Sequence, residues 1–100
     1  EAAVADLLGE FCALADSMLT ALADALAERS PAATERAAHS LKGSLLWLRA
    51  APAAELARRI ETQARAGDLT RGEDTLAALR REMRLVLEAI EREGPGQRSS

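Results

Sequence analysis

Ala38-His39-Ser40-Leu41-Lys42-Gly43-Ser44 holds the only histidine and the only lysine of the chain, with a glycine set inside a helical pattern. At about 100° per residue, Ala37, Leu41, Leu45 and Leu48 share one side of a helix running from Ser30 to Leu48. His39 then lies ~160° from the centre of that apolar stripe. The imidazole is expected to face water or a partner, not the core.

Residues three and four apart touch on a helix, so Glu35, Lys42 and Gly43 flank His39, with Leu46 one turn further on. Helical side chains lean toward the N-terminus, and the side chain that would cover the ring belongs to position 43. Glycine there costs roughly 1 kcal/mol against alanine, which makes sense if something bulky must reach the ring. Lys42 brings a mobile point charge suited to phosphate. An exposed nucleophile, cleared space and an adjacent cation point to a histidine that accepts a phosphoryl group. The competing reading is a solvated histidine with no role. A metal centre is weaker still, because one histidine without a set of cysteines supplies no ligand set.

Working outward, Ser30-Pro31 reads as an N-cap followed by proline at the first helical position. Before it, Leu7, Leu8, Phe11, Leu14, Met18, Leu22 and Leu26 keep an apolar face through a first helix over 2–28, weakened locally by Gly9. Cys12 reads as a small packing residue, since nothing basic lies near it in sequence to activate a thiol. After it, Arg49-Ala50-Ala51-Pro52 leads into a third helix over about 52–66, the proline biasing Ala51 away from helix. Ala53, Leu56, Ala57, Ile60 and Ala64 form its buried stripe, with Glu61 at the margin, ~90° from the centre. Gly67 suits the left-handed residue that ends such a helix. Thr70-Arg71-Gly72-Glu73 fits a capping box opening a fourth helix, whose apolar face is Leu76, Leu79, Met83, Val86, Leu87 and Ile90. Gly94-Pro95-Gly96 stops it, and Gln97 to Ser100 is a polar stretch expected to be disordered.

Four helices with short connections predict an all-α fold, an antiparallel up-down-up-down four-helix bundle over 1–93, with 94–100 as tail or linker. Within it, Trp47 is expected to pack against the first helix or at its edge, and Ser44 to close a helix–helix contact. Leu46 is expected to be exposed and, with Glu35, to belong to a docking patch for a partner.

Composition agrees with this and removes several function classes. Alanine and leucine dominate and only two residues are aromatic, Phe11 and Trp47, which favours closely packed helices over a sheet. A net charge of −3 gives no support for nucleic-acid binding. Seven acids and two arginines fall in residues 1–38, against nine acids and eleven bases in 39–100. That asymmetry reads first as solvated helix faces and second as a field that steers a partner. One cysteine allows no internal disulfide. No apolar run approaches the ~20 residues needed to span a bilayer, and no signal-peptide pattern is present in these residues. The chain opens on glutamate, so it is expected to be a module of a longer protein.

His39-Ser40-Leu41-Lys42-Gly43-Ser44 resembles the signature H-x-L-K-G, followed by Ser or Ala, of histidine-containing phosphotransfer (HPt) domains. The resemblance covers about residues 4 to 93. It takes in Leu7-Leu8 and Phe11, then Leu56, Ala57, Ile60 and Glu61, then Arg65-Ala66-Gly67-Asp68-Leu69 and the final amphipathic helix. Two positions depart from it: the family usually has glycine where Arg49 stands and leucine where Ala53 stands. The spacing of the downstream elements adds specificity that the six-residue motif alone does not have.

The resemblance implies a phosphorelay intermediate: His39 takes a phosphoryl group from one receiver-domain aspartate and passes it to another. The alternatives are the phosphoacceptor module of a chemotaxis-type kinase labelled from ATP, or an inert helical docking or dimerisation bundle. By the same resemblance Glu61, twenty-two residues after His39, bonds Nδ1, orients the ring and leaves Nε2 to be phosphorylated. Lys42 balances the phosphate and Gly43 leaves its approach clear. Such a domain is a phosphohistidine carrier with no autonomous catalysis and no cofactor of its own, Mg²⁺ coming from the receiver. The implied partners are response-regulator receiver domains, with no nucleic acid and no membrane contact by this segment. The implied setting is a monomeric, cytoplasmic module at the C-terminal end of a bacterial hybrid sensor kinase, which can itself be membrane-bound.

Overall fold

The computed structural model describes residues 2–92, less the side chains of residues 2–8, Cys12, Ile90 and Glu91. Four helices follow one another: α1 (Ala2–Ala27), α2 (Pro31–Trp47), α3 (Ala51–Arg65) and α4 (Gly72–Arg92), with no strand among the described residues. Each packs against its sequence neighbour and α4 returns to α1, which closes the antiparallel up-down-up-down bundle; the α2–α3 seam is the most extensive. The expectations for Leu7, Leu8, Cys12, Ile90 and the 94–100 tail lie outside the described residues.

Every helix contributes to one core. Leu22 of α1, Leu41 and Leu45 of α2, Ile60 of α3, and Leu79 and Met83 of α4 are fully buried, each a burial of about 1.5–3 kcal/mol. Ala15, Ala38, Ala53, Ala54 and Ala57 lie between them and keep the helix axes close. Ala53, which departs from the family's leucine, is among these buried small residues.

Two apolar side chains expected to be packed, Leu14 on the apolar face of α1 and Trp47 against α1 or at its edge, are exposed. Leu14 is 50% exposed and Trp47 is 81% exposed. The buried stripe of α1 is Ala15, Leu19, Leu22 and Leu26, and Leu14 lies ~100° away from it on the wheel. Trp47 lies ~140° from the centre of the Leu41–Leu45 stripe by the same geometry, too far round α2 for α1 to cover.

The first three helices end in the same way. Arg29, Arg49 and Gly67 adopt left-handed backbone, with φ of 56°, 61° and 78°. At each, this residue's N–H donates three residues back (Leu26, Leu46 and Ala64 carbonyls), while the next residue's N–H donates five back, to Ala25, Leu45 and Gln63. This is the Schellman arrangement, which satisfies the last carbonyls of a helix. Arg49 therefore takes a conformation that glycine adopts readily.

The restarts are tight. Ser30 caps α2, its hydroxyl accepting from the Ala33 N–H at 3.2 Å, with Pro31 opening the helix. The α3 helix begins one residue earlier than predicted, at Ala51, because Ala50 already accepts from the Ala54 N–H. The predicted capping box at α4 does not form. Thr70 turns its hydroxyl onto Asp68 at 2.6 Å, and Arg71 accepts the first helical bond, from Thr75. Gly72 starts the helix against the Leu26 side chain, where a Cβ would collide with a methyl group.

Candidate functional site

The α2–α3 seam places His39 opposite Glu61. His39 stands on the outer side of α2 with its side chain 67% exposed, whereas that of Glu61 is only 5% exposed. The wheel of α3 sets Glu61 at the edge of the buried stripe, and the side chains of α2 close over it. His39 Nδ1 and Glu61 Oε2 are 2.7 Å apart.

Glu61 is also the anchor for two cations. Lys42 Nζ lies 2.8 Å from its Oε1, and Arg65 Nη2 lies 3.1 Å from its Oε2. Arg65 is shared, because its Nε donates to Glu35 at 2.7 Å across the seam. Hydrogen bonding from Lys42 is the largest influence on the Glu61 carboxyl. That bond and the one from His39 outweigh the cost of burial and hold the group below its ordinary carboxylate range. An ionised carboxylate can only accept. It therefore assigns the proton to Nδ1 and leaves the lone pair of the neutral ring on Nε2. No hydrogen bond formed by the described side chains involves Nε2.

Gly43 is exposed one turn on, and a Cβ built there meets nothing within 4 Å. Intramolecular packing thus gives no reason for a glycine in the middle of this helix, where alanine favours the helix by roughly 1 kcal/mol. Leu46 is 57% exposed, as its place on the wheel predicts. Glu35 is engaged with Arg65. Ser44 faces α1, its hydroxyl 3.7 Å from the Met18 sulfur, so it closes the expected helix–helix contact. Beside the ring an open depression of about 460 Å³ is lined by Glu35, Arg36, His39, Ser40, Glu61 and Arg65.

The structure thus brings His39, Lys42, Glu61 and Glu35 into one linked cluster, with Gly43 and Leu46 on the same exposed face of α2. Sequence reasoning gave no role to Arg65 and did not single out Arg36. Their signals were present in the spacing: Arg65 is four residues after Glu61, and Arg36 three before His39. Among the described residues no group of three His, Cys, Asp or Glu side chains is placed to hold a metal ion.

The family model for the Hpt domain matches residues 6–93 of this chain. The chain belongs to the Hpt family. Its role is accordingly histidine phosphotransfer in a two-component phosphorelay, as a carrier of phosphoryl groups, and the receiver domains of response regulators are the partners of such domains. No curated protein and no solved structure gives a significant match. No described helix of this Hpt domain is long and apolar enough to cross a membrane.

Proposed function

We propose that His39 is the phosphoacceptor of this domain and that it relays between two receiver aspartates. The observation that carries this reading is the 2.7 Å contact of Nδ1 with the nearly buried Glu61 on a ring that is itself 67% exposed. In the forward step the Nε2 lone pair attacks phosphorus, forming the N–P bond. The P–O bond to the receiver aspartate breaks, and its electron pair leaves with the carboxylate. The ring becomes a phosphorylated imidazolium that keeps its Nδ1 proton, and the Glu61 charge opposes the positive charge developing there.

Glu61 orients the ring in this account. Lys42 holds Glu61 in place and adds its positive charge to the side of the site where phosphate arrives, and Gly43 leaves the line of attack open. Leu46 and Glu35 belong to the surface on which the receiver docks, and Mg²⁺ is supplied by the receiver. The setting that fits is a monomeric cytoplasmic module of a hybrid sensor kinase. A second reading, the phosphoacceptor of a chemotaxis-type kinase, is favoured by one feature, a carboxylate at position 61 where the relay pattern also uses an amide.

Incubation with a phosphorylated receiver domain, and separately with a histidine-kinase core and ATP, separates these readings. Relay function predicts acid-labile phosphate from the receiver, lost in His39→Gln and in Gly43→Leu, whose larger side chain leans over the ring. Label only from the kinase core supports the second reading. Label from neither leaves a docking bundle and overturns both.

A further inference from the structure

The cations around His39 differ in how far they are already committed. Lys42 is paired with Glu61 at 2.8 Å, and Arg65 is divided between Glu35 and Glu61. Arg36 is different. It lines the depression beside the ring, and among the described residues it pairs with no carboxylate. Glu35 and Glu61 offset Lys42 and Arg65, so Arg36 is the surplus positive charge of the cluster.

Direction supports this as well as charge. His39 leans toward the N-terminus of α2, over the turn that carries Glu35 and Arg36. Lys42 can reach a phosphoryl group only by leaving a carboxylate that is almost wholly buried. Arg36 gives up nothing, and its planar fork matches two phosphoryl oxygens at once where an ammonium offers a single point.

We propose that Arg36 is the phosphoryl-binding residue of this site, meeting the oxygens of the group on His39 Nε2 while Lys42 and Arg65 stay with Glu61. The proposal rests on His39 being the phosphoacceptor. In it the N-terminal side of the ring receives the phosphate, and the ion-paired seam keeps the imidazole fixed throughout the transfer.

The test uses phosphoramidate as donor, which removes any contribution from receiver docking. Wild type, Arg36→Gln and Arg36→Lys are compared by labelling rate, by phosphorus NMR of the phosphohistidine across pH, and by circular dichroism. A full charge a few ångströms away in water moves a phosphate pKa by about half a unit. Arg36→Gln is therefore expected to raise the phosphoryl pKa by about that amount and to slow labelling about threefold, with an unchanged helical spectrum. Arg36→Lys, keeping the charge, restores most of the pKa. If wild type takes label and Arg36→Gln matches it in both rate and phosphoryl pKa, Arg36 has no such role and the parent reading stands. If wild type takes no label from phosphoramidate or from a phosphorylated receiver, the parent reading falls and this one with it.

Discussion

His39 Nδ1 and Glu61 Oε2 lie 2.7 Å apart across the α2–α3 seam, one on an exposed ring and the other on a nearly buried carboxylate. The contact has a fixed polarity. The acceptor is held in place by Lys42 and Arg65, and the donor is free to present its other nitrogen outward.

His39→Gln is expected to abolish phosphoryl labelling while changing stability by no more than about 0.5 kcal/mol, because an exposed side chain is being exchanged. Thermal melting followed by circular dichroism checks the second half. A loss of several kcal/mol would mean that the ring supports the fold.

The Glu61 carboxyl is held below its ordinary value of 4.5. Between the folded and unfolded pKa the unfolded chain binds more protons, so stability rises with pH in that window. The contribution of Glu61 is thus fully present above about 4.5 and disappears as the pH falls through the lower folded value. Melting temperatures of wild type and Glu61→Gln, measured from neutral pH into the acid range, should differ most near neutrality and converge on acidification. Glu55 and Asp68, also held low by their hydrogen bonds to Arg58 and Thr70, titrate in both proteins and cancel from the comparison. A gap that stays constant with pH would contradict the assignment.

Leu45 and Leu46 are adjacent in sequence and opposite in consequence. Leu45 is fully buried and Leu46 is 57% exposed. Leu45→Ala should cost about 2–5 kcal/mol through lost burial and the cavity left behind. Leu46→Ala should stay within about 0.5 kcal/mol and instead weaken binding of a receiver domain, read by titration calorimetry. A Leu46→Ala variant that binds a receiver as wild type does would remove Leu46 from the docking surface.

Arg49 and Gly67 hold equivalent left-handed positions at the ends of α2 and α3. Left-handed backbone costs a residue with a Cβ about 1–2 kcal/mol, partly offset in glycine by the greater freedom of its unfolded chain. Arg49→Gly is therefore expected to stabilise the domain by up to about 1 kcal/mol and Gly67→Ala to destabilise it by about 1 kcal/mol. Denaturant unfolding measures both, and a stabilising Gly67→Ala would refute the strain argument.

How much of this was legible beforehand depends on the range of the interaction. Ser30-Pro31, the Leu41–Leu45 stripe, Gly67 at a helix end and the outward face of His39 all follow from residues within two turns of each other. Backbone bonding and a 3.6-residue period determine them, so the order of the helices and their bundle could be read from the chain. The apparent capping box at Thr70 was a local signal that lost to another local partner, since Asp68 is two residues away and closes a shorter ring with the threonine.

The rest was decided between helices. Periodicity put Glu61 at the edge of a stripe, and only the side chains of α2 laid over it make it buried. Leu14 and Trp47 look like packed residues by type, yet burial depends on what the neighbouring helix places opposite, and among the described residues Leu14 is left half exposed and Trp47 largely so. Lys42 looks like a free cation in the sequence and is an ion-pair partner in the fold. A single helix fixes which way a side chain points; whether it then meets solvent, a counter-charge or a packed wall is set by a second helix, whose alignment depends on contacts too far apart in sequence for any local pattern to encode.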